Sequence, residues 1–580
     1  MDKEHLNNLR HSCAHLLAAA VRSIWPSAQN AIGPSIDDGF YQDFDMGEVK
    51  ISEADFETIE DKMRGILKTW DDFSIHEVPV EQAKKDFAWN AYKSELIDEF
   101  ATAGKMITET RQGDFLDLCK GGHLEKPKDE IKHFKLLSVA GAYWRGNEKN
   151  KMLTRIYGTC FFSKQELYDY LQMMEEAKKR DHRKLGKELG LFVTSDLVGP
   201  GMPLYTPKGT IVRAEIINYS RELNTKIGFE EVHTPNINKA ELFKMSGHYD
   251  KYKDDMLMVK SHYSDEEYYL KPMNCPQHTQ IYASQMRSYR DLPIRFSDFA
   301  NLYRDERPGE LSGLTRLRCF CQDDGHAFCR EDQLEQEFGN VLRVIKEALA
   351  TYRLIYWIRL SLRDPAQMDK FLGDDATWEK AEATLRKLMS QNNITCKEAI
   401  GDAAFYGPKM DIVATDSLGR EWQISTIQLD MQMPGRFGLT YTDADGTEKT
   451  PVMIHRALVG SPERFMAILI EHYAGAFPVW LSPVQVMLAA VSEKHADGAR
   501  KLAEEFKLAG IRVEVDDANE SIGKKVRNAA KQKIPYIVVV GDRELEGGEW
   551  TVRVRGQEEQ IKMSKNEFVE KVKKEITERS

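Results

Sequence analysis

Residues 296–328 read FSDFANLYRDERPGELSGLTRLRCFCQDDGHAF, and their alternation decides how the chain is understood. Successive side chains of a strand point to opposite faces. If 298–306 and 316–326 are two antiparallel strands, the even-numbered residues share one face. That face carries Arg304, Glu306, Arg316, Phe320, Gln322, Asp324 and His326. Between the strands, Arg307–Thr315 holds Pro308, Gly309 and Gly313, as a loop should. A solvated sheet face would show the same alternation. Two arginines, two carboxylates, an amide, a ring and an imidazole make poor core, however, and they suit a triphosphate with a nucleobase. One arginine clamps a phosphate, a ring is sandwiched between Phe320 and a guanidinium, and a carboxylate takes an amine donor.

The 580 residues are enough for three or four domains. A content of 42% hydrophobic and 30% charged residues fits a soluble globular protein. No run of about 18 apolar residues predicts a membrane span. The start MDKEHLNNLRHSCAHL has no apolar segment of the secretory kind. Eight scattered cysteines favour thiols and metal ligands over disulfides. A net charge of −11 argues weakly against nucleic acid, because binding needs only a local basic surface. Two basic segments qualify, KKRDHRKLGK at 178–187 and GKKVRNAAKQK at 523–533, although either also reads as a solvated helix face.

Residues 1–162 read as an α+β domain, opened by a helix with Leu9, Leu16, Leu17, Ala20, Val21 and Ile24 on one side. Residues 163–187 read as one charged linker helix started by a capping box, Ser163 with Glu166. Residues 188–478 carry the chemistry. Residues 479–580 alternate short apolar strands (VQVMLAAV, IRVEVD, PYIVVVGD) with charged helices, predicting a small α/β domain with parallel strands. Neither a G-x-x-x-x-G-K-[ST] loop nor a G-x-G-x-x-G turn is present, so any ATP is held some other way. Cys275 in KPMNCPQH, His326 in QDDGH and His455 in MIHRALVG are possible soft ligands; their wide spacing alone also fits core or surface residues.

The hairpin resembles the second signature motif of class II aminoacyl-tRNA synthetases, and along nearly the whole chain the similarity is to their threonyl-tRNA synthetase family. The resemblance implies an antiparallel class II catalytic core, an N-terminal α+β editing domain and a C-terminal α/β anticodon-binding domain. It implies a zinc ion on Cys275, His326 and His455, with a fourth position left open. Threonine and valine are nearly the same size, and an apolar pocket separates them poorly; a metal that takes the amino group and the hydroxyl rejects valine. Met273, Gln322, Asp324, Tyr406 and Gln428 would form the threonine site. Arg304 would hold the α-phosphate, Glu306 the adenine amine and Arg316 the γ-phosphate, with Phe320 and Arg464 stacking on adenine. Independently of the family, Ser461 reads as an N-cap and Pro462 as a first helical residue, which puts Arg464 in a first turn. Lys409 would touch phosphate or adenylate, and magnesium would arrive on the ATP. His248 in SGHYDKYKD matches a histidine near the terminal ribose of the tRNA, a place for a proton relay.

His11 and His15 share a helix face, and Cys119 and His123 flank a Gly-Gly turn. These four resemble a zinc set, but the family implies metal-free ester hydrolysis. Serine has the hydroxyl and lacks one methyl, worth only about 10–200-fold in discrimination. A second, hydrolytic sieve is expected, with His11, His15, Lys93, Asp117, Cys119 and His123 orienting Ser-tRNA and a water. A structural metal or a plain core histidine pair is the competing reading. The chain departs from many bacterial members at Gln42, where they carry a tyrosine, and it lacks their small ubiquitin-like N-terminal domain, since the editing helix begins near residue 7.

Asn519, Glu546 and Arg555 match base-contacting positions, and the two basic segments would track the tRNA backbone. The implied activity is ATP-dependent threonine–tRNA ligation with proofreading, in a cytoplasmic homodimer joined around Pro235 (EVHTPNI) that needs no membrane. The implied partners are tRNA(Thr), ATP and L-threonine. A sister ligase for serine or proline, and a catalytically silent RNA-binding regulator on the same fold, are the rivals. The Cys275/His326/His455 set with Asp324 argues against the first, and intact Arg304, Glu306, Arg316 and Arg464 against the second.

Overall fold

Helix Lys3–Ile24 is buried without a break from Ser12 to Val21, with Leu9, Leu16, Leu17, Ala20 and Val21 in the core of the first unit. The residues expected from 3.6-residue spacing are in the core, but the burial goes round the whole helix, and Ile24 is only partly buried. The computed structural model describes residues 3–580, which fall into two compact units, one ending at Glu175 and the other Glu176–Ser580. In the first unit, strands run in the order Gln29–Asn30, Gly39–Asp45, Met152–Phe161, His133–Tyr143. A separate three-stranded sheet, Ser74–Glu77, Thr108–Gln112 and Phe115–Leu118, carries Asp117.

The expected linker helix 163–187 is two helices. Ser163 and Glu166 do form the capping box, with main-chain N–H bonds of 3.0 and 3.2 Å in the two directions. The helix stops at Arg180, and a second begins at His182. Asp181 breaks it: its backbone leaves the helical region and its carboxylate accepts from the Arg183 N–H at 2.8 Å. A short acidic side chain of this kind competes for the helix's own donors and starts a new one.

The second unit is built on an eight-stranded sheet in the order Glu230–Glu231, Ile294–Asp298, Asp324–Cys329, Val452–Ala457, Glu421–Asp430, Lys409–Thr415, Ile355–Leu362, Lys397–Ile400. Its pairs are antiparallel except at the two edges. Helices Pro207–Lys226, Leu334–Thr351 and Pro462–His472 contribute to the core beside it.

The opening hairpin forms in two stages. Ile294–Asp298 pairs with Asp324–Cys329, and Asn301–Tyr303 with Cys319–Cys321. The strands stop at Tyr303 and Cys319, with one further main-chain bond from the Arg304 N–H to Arg318 at 2.9 Å, so Glu306 and Arg316 stand on a loop and Arg304 at its edge, and not on strands 298–306 and 316–326. The break between the two paired stretches, between Cys321 and Asp324, has its own cause. Asp323 turns into the core, where its carboxylate takes Arg456 at 2.5 Å and Ser220 at 3.0 Å, while its N–H donates to Gly460 at 2.8 Å. Arg456 crosses Gly325 so closely that a Cβ there would lie 2.5 Å from the guanidinium.

The C-terminal strands Val486–Ala490, Val513–Asp516 and Tyr536–Val540 are parallel, as expected. Two further strands, Trp550–Val554 and Ile561–Met563, add antiparallel to the same sheet. No helix among the described residues is long and apolar enough to cross a membrane.

Candidate active site

Cross-strand register gathers the soft ligands. His326 and His455 are directly opposed on neighbouring strands, and Gln428 opposes His455 on the next. Cys275 comes from the start of helix Cys275–Ala283. One ligand atom of each of Cys275, His326 and His455 lies within 4.8 Å of the others. All three are buried. Each imidazole is oriented from behind: His326 Nδ1 lies 2.7 Å from His278 Nδ1, and His455 Nε2 lies 2.9 Å from the Asp430 carboxylate. Each ring is left with one free nitrogen, the arrangement that fixes imidazoles for a metal. Burial first, then the His455, His278 and Arg456 charges, hold His326 well below the usual imidazole range, so it offers a lone pair. Burial, then Asp324 and Asp430, push the Cys275 thiol far up. A buried thiol beside carboxylates lacks a cation, and a bound divalent metal supplies one. The donor set of one sulfur and two nitrogens fits zinc with an open position.

A cavity of about 370 Å³ opens over these residues, lined also by Met273, Gln322, Asp324, Tyr406, Gln428 and His248. Asn274 donates to Asp324 at 3.1 Å. Tyr406 stacks on His455 with ring centres 4.6 Å apart and donates its hydroxyl to Gln428. A second cavity, about 480 Å³, is lined by Phe320, Trp422, Ser461 and Arg464. Arg304, Glu306 and Arg316 line both. Arg304 lies over the Phe320 ring at 5.1 Å. Glu306 accepts from Arg316 at 2.7 Å. Ser461 caps its helix by accepting from the Arg464 N–H at 3.3 Å, with Pro462 next, as the sequence indicated. The Arg464 Nε is buried without a hydrogen-bond partner among the described residues, a donor available to a ligand.

Two expected residues are held by partners within the chain. The Lys409 ammonium is held by Asp411 at 2.5 Å and lines neither cavity. Arg555 donates to the carbonyls of Lys533 and Phe477, each at 2.5 Å, which fixes its guanidinium against the backbone. Asn519 and Glu546 are exposed on the C-terminal unit's surface. His248 is buried, with Nδ1 2.7 Å from the Ser246 hydroxyl and Nε2 3.9 Å from Cys275 Sγ. Burial first, then His455, Arg304 and Arg436, bring it down to about 3, so it is neutral.

Sequence reasoning missed His278 and Asp430. Both were within reach: His278 is three residues beyond Cys275 on one helix, and Asp430 shares strand parity with Gln428.

In the first unit His11, His15, Cys119 and His123 also have ligand atoms within 4.8 Å of one another. Cys119 Sγ lies 3.5 Å from both His11 Nε2 and His123 Nε2. Asp117 meets Lys93 at 2.6 Å and His15 at 3.2 Å. Burial opposes a thiolate, but hydrogen bonds from His11, His123 and His15 outweigh it and bring Cys119 down to about 3. Burial likewise opposes a charged His15, yet Asp117 and Cys119 raise it to about 9. Gln42 is buried, packed on Gly33, and donates to the Asp43 carbonyl at 3.4 Å.

Comparison with known proteins fits this geometry. Residues 256–473 match the tRNA synthetase class II core domain (G, H, P, S and T), residues 485–575 an anticodon binding domain, and residues 110–157 the threonyl and alanyl tRNA synthetase second additional domain. Threonine–tRNA ligase from Rubrobacter xylanophilus is 48% identical over 99% of this chain and 90% of its own. The Thermotoga maritima enzyme is 45% identical over the whole of this chain and 89% of its own. A solved structure titled as the RNA binding domain of threonyl-tRNA synthetase from Cryptosporidium parvum has a TM-score of 0.65 at 36% identity, covering 68% of this chain and 98% of that one. Full-length similarity at this level, with the class II core and the additional domain both present, makes the chain a member of the threonine–tRNA ligase family of class II aminoacyl-tRNA synthetases.

Proposed function

We propose that this chain activates L-threonine with ATP and transfers it to tRNA(Thr), and that its N-terminal unit hydrolyses Ser-tRNA(Thr). The supporting observation is the shared wall: Arg304, Glu306 and Arg316 border both the cavity with the thiol–imidazole set and the cavity with Phe320 and Arg464. An amino acid and a nucleotide seated there would meet at Arg304. Its charge orients the threonine carboxylate toward the α-phosphate and offsets charge building on that phosphate, while Arg316 holds the γ-phosphate that leaves within pyrophosphate. Magnesium comes with the ATP, as is general for the class. Phe320 and Arg464 take the adenine between them. Cys275, His326 and His455 would hold a zinc ion, which supplies an open position able to discriminate an alcohol from a methyl group. Asp324 accepts from the substrate hydroxyl, and Met273, Gln322, Tyr406 and Gln428 shape the rest. His248, neutral and hydrogen-bonded to Ser246, sits where a proton could pass from the tRNA ribose. Lys409 reaches the adenylate only after leaving Asp411.

The proposed divisions are an editing domain 1–162, a linker 163–187, a catalytic domain 188–478 and an anticodon-binding domain 479–580. Asn519, Glu546 and Arg555 are the candidates for reading bases there. A homodimer joined near Pro235, working in the cytoplasm where tRNA is charged, completes the reading. Metal analysis with amino-acid-dependent pyrophosphate exchange tests it. One zinc per chain is expected, with exchange for threonine, weak exchange for serine and none for valine. Full exchange by metal-free protein would defeat the zinc assignment, and exchange driven by proline would defeat the substrate.

A further inference from the structure

The basic segment 178–187 sends one imidazole inward. His182 is buried, and both its ring nitrogens are engaged. Nδ1 lies 2.6 Å from Glu471 Oε1, and Nε2 accepts the main-chain N–H of Leu314 at 3.0 Å. The main-chain N–H of His182 donates to the same Glu471 oxygen at 3.0 Å. Since Nε2 accepts, the ring proton is on Nδ1, facing Glu471. Asp181, His182 and Glu471 are close enough to suggest a metal, with ligand atoms within 4.8 Å. With both nitrogens committed, the ring is a connector and not a ligand.

What it connects is specific. Leu314 belongs to the loop that carries Arg316, and it lines the second cavity. Glu471 lies at the far end of helix Pro462–His472, whose first turn carries Arg464. Arg420 also donates to Glu471, which fixes the carboxylate. Gly313, at φ +49°, lets the loop come down on the ring: a Cβ there would stand 2.1 Å from Nε2.

We propose that His182 is a positioning residue for ATP, setting the Arg316 loop against the Arg464 helix so that the two guanidiniums hold one nucleotide at the right separation. The proposal rests on the reading of the second cavity as the ATP site. In pyrophosphate exchange by the full chain, His182→Leu should raise KM for ATP about tenfold, because the buried Leu314 N–H loses its acceptor. KM for threonine should stay within about twofold, since Leu314, the residue His182 holds, lines only the second cavity. His182→Gln, whose amide oxygen can accept, should recover most of the loss. Gly313→Ala perturbs the same contact from the loop side with the histidine intact and should also raise KM for ATP; it serves as the test should His182→Leu not fold. Arg316→Ala separates the two failures. If Arg316→Ala leaves KM for ATP unmoved, the ATP reading of the cavity falls and the role of His182 falls with it. If Arg316→Ala raises KM for ATP while His182→Leu and Gly313→Ala do not, the role of His182 alone is overturned. Equal rises in both KM values with a lowered Tm would also overturn it, marking His182 as general structural support.

Discussion

Two clusters in this chain join one cysteine to histidines, three at Cys119 and two at Cys275, and have opposite electrostatics. At Cys119 the surrounding groups supply the positive charge themselves. His15 is raised to about 9 between Asp117 and the sulfur, and the thiol is brought down to about 3. At Cys275 burial leaves the thiol protonated, with Asp324 and Asp430 adding negative charge and His326 neutral. The first cluster is charge-balanced as it stands. The second is short of a cation, the condition under which a divalent metal binds. Both clusters bring their ligand atoms within 4.8 Å of one another, and the charges of the surrounding residues are what separates them.

The strongest way to break this contrast is to exchange the roles of the sulfurs. Cys275→Ser should remove zinc and lower threonine-dependent pyrophosphate exchange by more than about 100-fold, since loss of a second-shell partner alone costs about 10–100-fold in metal affinity. Cys119→Ser should leave both zinc content and exchange near the parent's, and depress only Ser-tRNA hydrolysis. Zinc lost from the Cys119→Ser protein would put the metal in the wrong cluster.

A smaller effect sharpens the account of the first cluster. Asp117 links Lys93 and His15, and burial is outweighed by those two groups, which hold its carboxyl well below the usual range. Asp117→Asn removes the partner that keeps His15 charged. Ser-tRNA deacylation should fall about 10- to 100-fold, at the lower end of what acid–base groups contribute. Threonine activation should be unaffected. Deacylation at the parent rate would mean that the imidazolium–thiolate arrangement is not used.

Much of this was legible in the sequence, for reasons that differ by residue. Alternation holds within 319–321 and 324–329 because a strand's side-chain period is set by its backbone. Arg464 was placed by local chemistry alone, Ser461 and Pro462 starting the helix. The strands were drawn too long at their outer ends, where the Arg318 N–H goes to Gly201 and its guanidinium to the Glu306 carbonyl, and the buried Asp323–Arg456 pair, 133 residues apart, breaks them between 321 and 324; no local pattern announces such partners. The linker helix was read as continuous because helical periodicity runs through Asp181, and one capping side chain stopped it. Lys409 and Arg555 look like free cations in sequence; Asp411 and two backbone carbonyls claim them in three dimensions. His278 shows the converse, a ligand-orienting residue three positions from a ligand that periodicity could have found.

The subtlest test is pH. Cys119 moves from an ordinary 9.0 to about 3, so its contribution to stability is fully present above pH 9 and lost as pH falls toward 3. His15 moves from 6.5 to about 9, so its contribution is fully present below pH 6.5 and lost as pH rises through 9. Between 6.5 and 9 folding exchanges a thiol proton for an imidazole proton, the two states bind equal numbers, and the slopes cancel. Below 6.5 only the thiolate difference remains, and stability declines with falling pH. The same shift predicts reactivity. Alkylation of Cys119 by iodoacetamide, followed by mass spectrometry of its peptide in the intact chain, should vary less than about threefold from pH 9 to pH 5, whereas an ordinary thiol loses about tenfold per unit below 8.5. Cys275, 3% exposed, should stay slow across that range. A Cys119 rate that drops tenfold per unit from pH 8 would show a thiol where a thiolate is required, and the contrast between the two clusters would then reduce to burial alone.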